Sequence, residues 1–285
     1  MKTKTTVFAL LLCALTLGFA PASRGAAQFK GNWTIMPSEQ PGQVHFGLIH
    51  HRDGHNSQSQ SDWPAGEFLG LDLTAPGKRD VKFNIARDAG RFECEGYMND
   101  SEGAGIFHFT PDAQYPKAMD ALGFGGVDDE MQFHMAVHDV SLAFARALKT
   151  EKITGLTTEM LLAFRIHGVT PQFIREIRAA GLEAESSDKL VAFRIHGVTP
   201  QMVNEVRKSG MSVSEDELIA FRIHGVTPAF IAKVETLGYK NLEPDQLVAM
   251  RIHGVTPEYI NELEAKGLRN LTIDQMVNLR IHGID

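Results

Sequence analysis

A seven-residue motif, Arg-Ile-His-Gly-Val-Thr-Pro, recurs along the second half of the chain and constrains its fold more than any other feature. The Ile-His-Gly core of the motif occurs five times, at intervals of 29, 28, 29 and 29 residues. A worn copy, Val137-His138-Asp139-Val140, lies one period before the first full copy. A fixed period of this length is typical of a stacked array of structural repeats.

Each repeat carries the end signals of two helices. In the first full unit, Thr170 is a typical N-cap, Pro171 suits the first helical position, and Gly181 suits a left-handed residue at the helix end. The second helix begins near a hydroxyl residue such as Ser186 and ends at the next Ile-His-Gly. A single pair of helices of about ten residues is not stable alone in water, so the units must stack. We therefore expect an α-solenoid of five helix pairs over residues 127–285.

The two helices of a unit differ in their apolar pattern. The first is amphipathic, with Phe173, Ile174 and Ile177 on one face. The second, as in Leu190-Val191-Ala192-Phe193, is apolar nearly all round and is predicted to be the buried core. The outer positions of the first helices differ from unit to unit, which predicts that a partner binds there. The candidate contact residues are Arg175, Arg178, Glu205, Glu258 and Asn261.

The arginine and histidine of the motif have a functional and a structural explanation. A ladder of imidazoles is suited to metal or to an acidic peptide, but stacked helices lie ~8–10 Å apart, whereas each nitrogen on a shared zinc lies ~2.0–2.1 Å from it. We therefore favour a structural role, in which each histidine hydrogen-bonds the next turn and the arginines alternate with acidic residues such as Glu159 and Asp188. The structural repeat residues are Arg165, His167, Arg194, His196, Arg222, His224, Arg251, His253, Arg280 and His282.

The start of the array departs from the motif. Asp139 stands where the other units have glycine, and Leu142 stands where they have proline. Both helix stops are therefore missing from the sequence, which predicts one continuous helix from about Asp128 to Lys149.

Residues 28–126 alternate apolar and polar side chains between turn signals, which predicts an antiparallel all-β domain: a meander, a sandwich or a small barrel. The segment Gly54–Asp62 is predicted to be a polar hairpin loop, and Cys94 is predicted to face inward as a small buried residue. The predicted strands are Gly31–Pro37, Gln43–His51, Asp80–Arg87, Arg91–Met98 and Gly105–Thr110.

Histidines and carboxylates cluster at the base of that loop. His51 and His55, with Asp53 and Asp62, are candidate ligands for Zn²⁺ or Cu²⁺. A solvated hairpin loop explains the same residues without a metal. No cofactor is predicted.

Residues 1–27 have the pattern of a secretory signal peptide, which predicts an exported protein, periplasmic or secreted. Lys2 and Lys4 precede an apolar run over Val7–Ala20, and cleavage is expected between Ser23 and Gln28. No later apolar run approaches the ~20 residues of a membrane span. Removing the three basic residues of this segment changes the formal net charge from −7 to −10, so no basic face is available for nucleic acid.

The chain has none of the common catalytic motifs. The helical repeats, together with Arg-Asp-Ala-Gly-Arg-Phe-Glu-Cys-Glu-Gly and Phe-His-Phe-Thr-Pro, resemble a bacterial family of exported proteins. Similar regions are attached to some membrane metallopeptidases of the beta-lactam-sensor type. The resemblance implies an extracytoplasmic sensing or protein-contact region, and the zinc motif of the peptidase is absent from this sequence.

These features predict a non-enzymatic exported protein whose solenoid binds another protein or a peptide. One alternative is a metal-binding periplasmic protein that uses His51 and His55 or the histidine ladder. A second alternative is an enzyme with its site in the β-domain, which predicts a large pocket lined by convergent polar groups there. The sequence does not specify the oligomeric state.

Overall fold

The computed structural model describes residues 29–52 and 55–284, and the side chains of residues 51, 52, 55 and 56 lie outside that description. The predicted signal segment, residues 1–27, lies outside it as well. The N-terminal part is a six-stranded antiparallel sheet with the strand order β3-β2-β1-β6-β5-β4. The strands are β1 (Phe29–Pro37), β2 (Gln43–Arg52), β3 (His55–Pro64), β4 (Lys78–Arg87), β5 (Gly90–Asn99) and β6 (Glu102–Pro111).

The sheet curls around an aromatic core because one face carries nearly all of its large apolar side chains. Trp33 on β1 lies 5.1 Å from the Phe83 ring on β4, and Trp63 on β3 lies 6.1 Å from the Phe92 ring on β5. Side chains of the two ends of the sheet therefore meet in the core, although β3 and β4 are its edge strands. Cys94 is buried on this inner face, as the sequence predicts.

The polar segment that was expected to be a loop is strand β3, so that prediction is wrong. Its residues from His55 to Pro64 pair in unbroken antiparallel register with β2. The strand lacks the alternation of apolar and polar residues that predicts a half-buried strand, because serines occupy most of the positions that face the core side. Ser59 and Ser61, for example, pair with the buried Leu48 and Phe46.

The C-terminal part consists of helix pairs, as predicted. In the five full units, each second helix packs on the second helix of the next unit, and the first helices of the three central units also pack on one another. A short helix, α1 (Tyr115–Ala121), connects the sheet to the array. The array helices are α2 (Asp129–Val137), α3 (Leu142–Thr150), α4 (Thr158–His167), α5 (Pro171–Ala179), α6 (Ser187–His196), α7 (Pro200–Lys208), α8 (Glu215–His224), α9 (Pro228–Thr236), α10 (Pro244–His253), α11 (Pro257–Ala265) and α12 (Ile273–Ile281). Within the described part of the chain, no helix has the length and apolar character needed to cross a bilayer.

The continuous helix predicted from Asp128 to Lys149 is wrong, because the chain breaks between α2 and α3. Asp139 adopts the left-handed conformation, with φ +52°, in the place of the motif glycine. Aspartate tolerates this conformation better than most residues, and the carboxylate of Asp139 pairs with Arg165. The Ser141 hydroxyl then caps α3 by accepting from the Phe144 N–H, as the motif threonines do in other units. The degenerate copy of the motif at residues 137–140 therefore ends one helix, and Ser141 starts the next, as in the other units.

Helix α2 joins the two parts of the molecule into one core. Its Phe133 ring stacks on Phe29 at 5.0 Å and lies 5.3 Å from Phe109. The Gln132 amide donates to the carbonyls of Ala89 and Asp112 at 2.7 Å each. The array thus starts inside the mouth of the curled sheet, and the predicted boundary at residues 126–127 separates segments that share a hydrophobic core.

Candidate functional site

The motif arginines link consecutive units through backbone carbonyls. The last carbonyls of a helix have no partner within it, and each arginine Nε donates to such a carbonyl in the preceding unit. The distances to the histidine carbonyls are 3.0 Å for Arg165, 3.1 Å for Arg194, 3.1 Å for Arg222 and 3.3 Å for Arg251. Arg280 donates to the Gly254 carbonyl at 3.1 Å. The arginines are therefore structural connectors between units.

In four of the five units, an aromatic residue of the first helix lies under this guanidinium. The guanidinium carbon of Arg194 lies 4.9 Å from the centre of the Phe173 ring, and that of Arg251 lies 5.0 Å from the centre of the Phe230 ring. Such cation–π contacts add about 0.5–1 kcal/mol at exposed sites. In the described part of the chain, Arg194, Arg222 and Arg251 form no ion pair with the acidic row that was expected to alternate with them. The expected register network is instead a network of arginines and carbonyls.

The side chains of the motif histidines point towards solvent. His167 and His196 are half-buried, and His224, His253 and His282 are exposed. Among the described residues, none of these imidazoles has a side-chain hydrogen bond. It is the histidine carbonyl, not the ring, that takes part in the connection between units. The expectation that each ring hydrogen-bonds the next turn therefore differs from the structure.

The motif isoleucines form the most regular exposed apolar feature of the molecule. Each side chain is 51–55% exposed, and each lies four residues after a half-buried aliphatic residue on the same helix face, as Ile195 follows Val191. The second helices are therefore not all core: Leu161 and Phe164 are buried in α4, whereas Ile166 faces solvent. We call this set the isoleucine row; it consists of Ile166, Ile195, Ile223, Ile252 and Ile281.

Helical geometry alone would have revealed this row in the sequence. Ile166 is two residues beyond the core residue Phe164, a rotation of about 200° around the helix axis. The composition of the second helices, apolar nearly all round, hid this signal. Single exposed apolar residues are normal, but an ordered row of them marks a candidate interaction surface.

The predicted contact residues on the first helices lie at the surface, and two of them form ion pairs within the protein. Arg175 and Arg178 both bind Glu151, at 2.7 Å and 3.1 Å. Arg178 also donates to the carbonyls of Glu151 and Ala184, which gives it a structural role. The other three predicted contacts, Glu205, Glu258 and Asn261, are exposed.

Most of the predicted metal ligands cannot be placed. The side chains of His51, Asp53 and His55 lie outside the described residues. The Asp62 carboxylate lies 3.1 Å from the His45 Nδ1 across β2 and β3. Within the described residues, no group of three or more histidine, cysteine, aspartate or glutamate side chains is arranged to hold a metal ion.

A polar cleft of about 550 Å³ lies where the free edge of β3 meets the start of the helical array. The β3 side is formed by consecutive residues from Ser59 to Pro64, and the helical side by Val137, His138, Asp139, Arg165 and Ile166. We call this space the junction cleft. Ile166, the first member of the isoleucine row, therefore also lines the cleft.

Arg87 fixes the floor of the junction cleft. Its guanidinium donates to the carbonyls of Ala136 and Val137 at 2.7 and 2.8 Å and to the Glu67 carboxylate at 2.7 Å. It also lies 3.5 Å from the centre of the Trp63 ring. Burial lowers the pKa of Arg87, and the Glu67 carboxylate opposes that shift. Because this residue binds both the sheet and the end of α2, the cleft is preformed.

Two further groups in the cleft have shifted pKa values. Burial, with smaller effects from the charges of His134, Arg87 and Arg165, lowers the pKa of His138 from 6.5 to about 4. Burial raises the pKa of Asp139, and the Arg165 charge opposes this shift. At neutral pH the cleft therefore contains a neutral imidazole beside two ion pairs.

A second cavity, of about 700 Å³, lies over the outer face of the sheet. Its lining includes the exposed Tyr97 and Ile106 and an exposed ion pair between Lys82 and Glu95 at 3.1 Å.

Comparison with known proteins gives no relative: no family model, no curated protein and no solved structure matches the chain.

Proposed function

We propose that the protein is an exported, non-enzymatic interaction or sensing protein whose helical array binds a protein or peptide partner through the isoleucine row. The observation that carries the proposal is the recurrence of one exposed aliphatic residue in all five units. This surface replaces the outer face of the first helices as the preferred contact, because the prediction of that face assumed second helices buried on all sides, and the isoleucine row is exposed.

Comparison of the units within this one chain supports the proposal. Exposed positions on the first helices have diverged, as Arg175, Asn204, Ala232 and Asn261 show at a single repeat position. Packed positions recur because packing requires them. The isoleucines recur although they are more than half exposed, so a constraint other than packing acts on them. Contact with a partner is such a constraint.

The spacing of the row indicates what kind of partner it fits. Neighbouring helices in a packed array lie ~8–10 Å apart, so the row offers an apolar side chain at about that interval. An extended peptide advances ~3.3 Å per residue and an α-helix ~1.5 Å. Residues three apart in an extended strand point to opposite faces, whereas every seventh residue of an α-helix lies on one face at intervals of ~10.5 Å. Apolar residues at every seventh position of a helix therefore match the row. A polypeptide with such a repeat is the expected partner.

The charged side chains in the junction cleft are paired with one another, which does not favour the enzyme alternative at this site. Among the described residues there, Arg87 is held by Glu67, Asp139 by Arg165, and Asp62 by His45. The pKa of His138, about 4, makes it a weak base at neutral pH. The metal-binding alternative and the relation to beta-lactam-sensor-type proteins remain predictions from the sequence.

The test is partner capture by matched variants of the mature protein from an extract of exported proteins. We expect Ile195→Ser with Ile223→Ser to abolish capture while leaving the free energy of unfolding within about 0.5 kcal/mol, because both side chains lie at the surface. Arg175→Glu with Asn261→Lys is the matched surface control and is expected to retain capture. Loss of capture in the control alone would move the contact to the first helices and refute the proposal.

A further inference from the structure

We propose that the junction cleft is a second binding site, which takes an extended peptide segment with a basic side chain as an added strand on the free edge of β3. This site does not depend on the isoleucine row, although Ile166 is among the residues that line it.

The lining of the cleft shows that it runs along the edge of the strand rather than over one face. Six consecutive residues, from Ser59 to Pro64, line it. Successive side chains of a strand point to opposite faces of the sheet, so a cavity over one face would contact only alternate residues. A cavity that touches all six lies beside the backbone itself.

That backbone has unused hydrogen-bonding groups. Strand β3 pairs with β2 on one side and is the last strand of the sheet on the other. In an antiparallel pair, every second residue directs its N–H and C=O away from the neighbour. Within the described residues, no other segment pairs with these outward groups between Ser59 and Asp62. Unpaired strand edges are the sites at which extended peptides add to a sheet.

The size and rigidity of the cleft favour a single extended chain over a second folded copy. Six strand residues span about 20 Å, the length of a peptide of similar size. The opposite wall is formed by the end of α2 and by Arg165 on α4, and Arg87 holds the end of α2 against the sheet. A second sheet would have to displace this wall, whereas one peptide strand fits beside it.

The accessible charge of the cleft favours a basic side chain. The carboxylate residues Asp62, Glu67 and Asp139 expose 29%, 29% and 38% of their side chains. The Arg87 side chain is only 6% exposed and the Arg165 side chain 28% exposed. With His138 neutral, the three carboxylates and two guanidiniums of the lining give a formal net charge of −1, and the Asp139 carboxylate is the most exposed of the five charged side chains. A lysine or arginine on the peptide complements this surface.

The test is amide hydrogen exchange of the whole mature protein with synthetic probes. The first probe is a blocked octapeptide of alternating valine and threonine with a central lysine. The second has glutamate in place of lysine, and the third is the lysine peptide N-methylated at every amide. We expect the lysine peptide to slow exchange of the Ser59–Asp62 amides at least tenfold, and to bind at least tenfold more tightly than the glutamate peptide. The N-methylated peptide should have no effect, because it cannot pair with the strand edge.

Two variants locate the effect. Asp62→Asn is expected to reduce the preference for lysine over glutamate, and Ile195→Ser with Ile223→Ser is expected to leave peptide binding unchanged. Absence of slowed exchange with the lysine peptide would overturn the proposal, as would equal binding of the N-methylated peptide. Slowed exchange of β3 without peptide, in a protein that forms dimers, would assign the edge to a second copy and also overturn it. If the Ile195 and Ile223 changes abolish peptide binding, the probe binds the isoleucine row and not the cleft.

Discussion

At the scale of single residues, the three neighbours in Arg-Ile-His have separate roles that the sequence does not distinguish. The arginine Nε donates to a helix-end carbonyl of the preceding unit, and its guanidinium lies over an aromatic ring on the first helix of its own unit. The isoleucine and the imidazole extend into solvent. A motif that recurs as a block therefore contains a structural part and an exposed part.

The connector role makes arginine different from lysine at these positions. Arg194→Lys keeps the charge but loses the planar group that binds the His167 carbonyl and stacks on Phe173. We expect a loss of about 1–2 kcal/mol in the free energy of unfolding, measured by urea denaturation. The control is His196→Ala, whose ring has no side-chain hydrogen bond within the described structure and whose loss is expected to cost about 0.5 kcal/mol or less. Equal losses for the two variants would contradict the division of roles.

His138 makes stability depend on pH in a defined window. Its pKa is about 4 in the folded protein and 6.5 when unperturbed. Between these values the unfolded chain binds more protons, so the folded state loses stability as the pH falls from about 6.5 to about 4. We expect the free energy of unfolding of the wild type to fall more steeply across this window than that of His138→Gln. Parallel curves for the two proteins would show that burial does not shift this group.

At the scale of elements, helix ends could be predicted because their signals are local. The predicted threonine caps and glycine stops are in place, with φ of 71° or 72° at Gly168, Gly197, Gly225 and Gly254. Asp139 was misjudged because its left-handed conformation depends on a residue one unit away, Arg165. Strand β3 was missed because an edge strand with serines facing inward has no apolar period. The exposure of the isoleucine row follows from its angular position on the second helices, which their largely apolar composition does not reveal.

A motif glycine must adopt a left-handed conformation and must also leave room for the connecting arginine. A matched pair of variants separates these two requirements. A Cβ on Gly197 would lie 2.8 Å from the Arg222 Nη2, whereas a Cβ on Gly210 would have nothing within 4 Å. Both glycines have positive φ, 72° and 80°. Gly210→Ala is expected to cost about 1–2 kcal/mol for the left-handed conformation alone. Gly197→Ala is expected to cost more, because it also displaces the arginine connector. Equal losses of unfolding free energy in the two variants, measured in urea, would show that the Arg222 side chain moves aside at no cost.

At the scale of the whole molecule, the sheet and the array form one body with two candidate surfaces. Phe133 and Arg87 bind the start of the array into the sheet, which places the junction cleft at one end of the isoleucine row. The order of a β-domain followed by a solenoid could be predicted from the sequence, because periodicity and caps specify each part separately. The cleft could not, since it depends on how two distant segments pack.

The central claim is that the isoleucine row, rather than the outer face of the first helices, meets the partner. It is tested most directly by photo-crosslinking in cells that produce the protein, with benzoylphenylalanine in place of Ile195 or Ile223 and, in matched variants, in place of Arg175 or Asn261. All four positions are exposed, so each probe is accessible. The account predicts a crosslinked species of one defined mass from positions 195 and 223 and none from positions 175 and 261. Crosslinks from positions 175 and 261, with none from the isoleucine row, would contradict it.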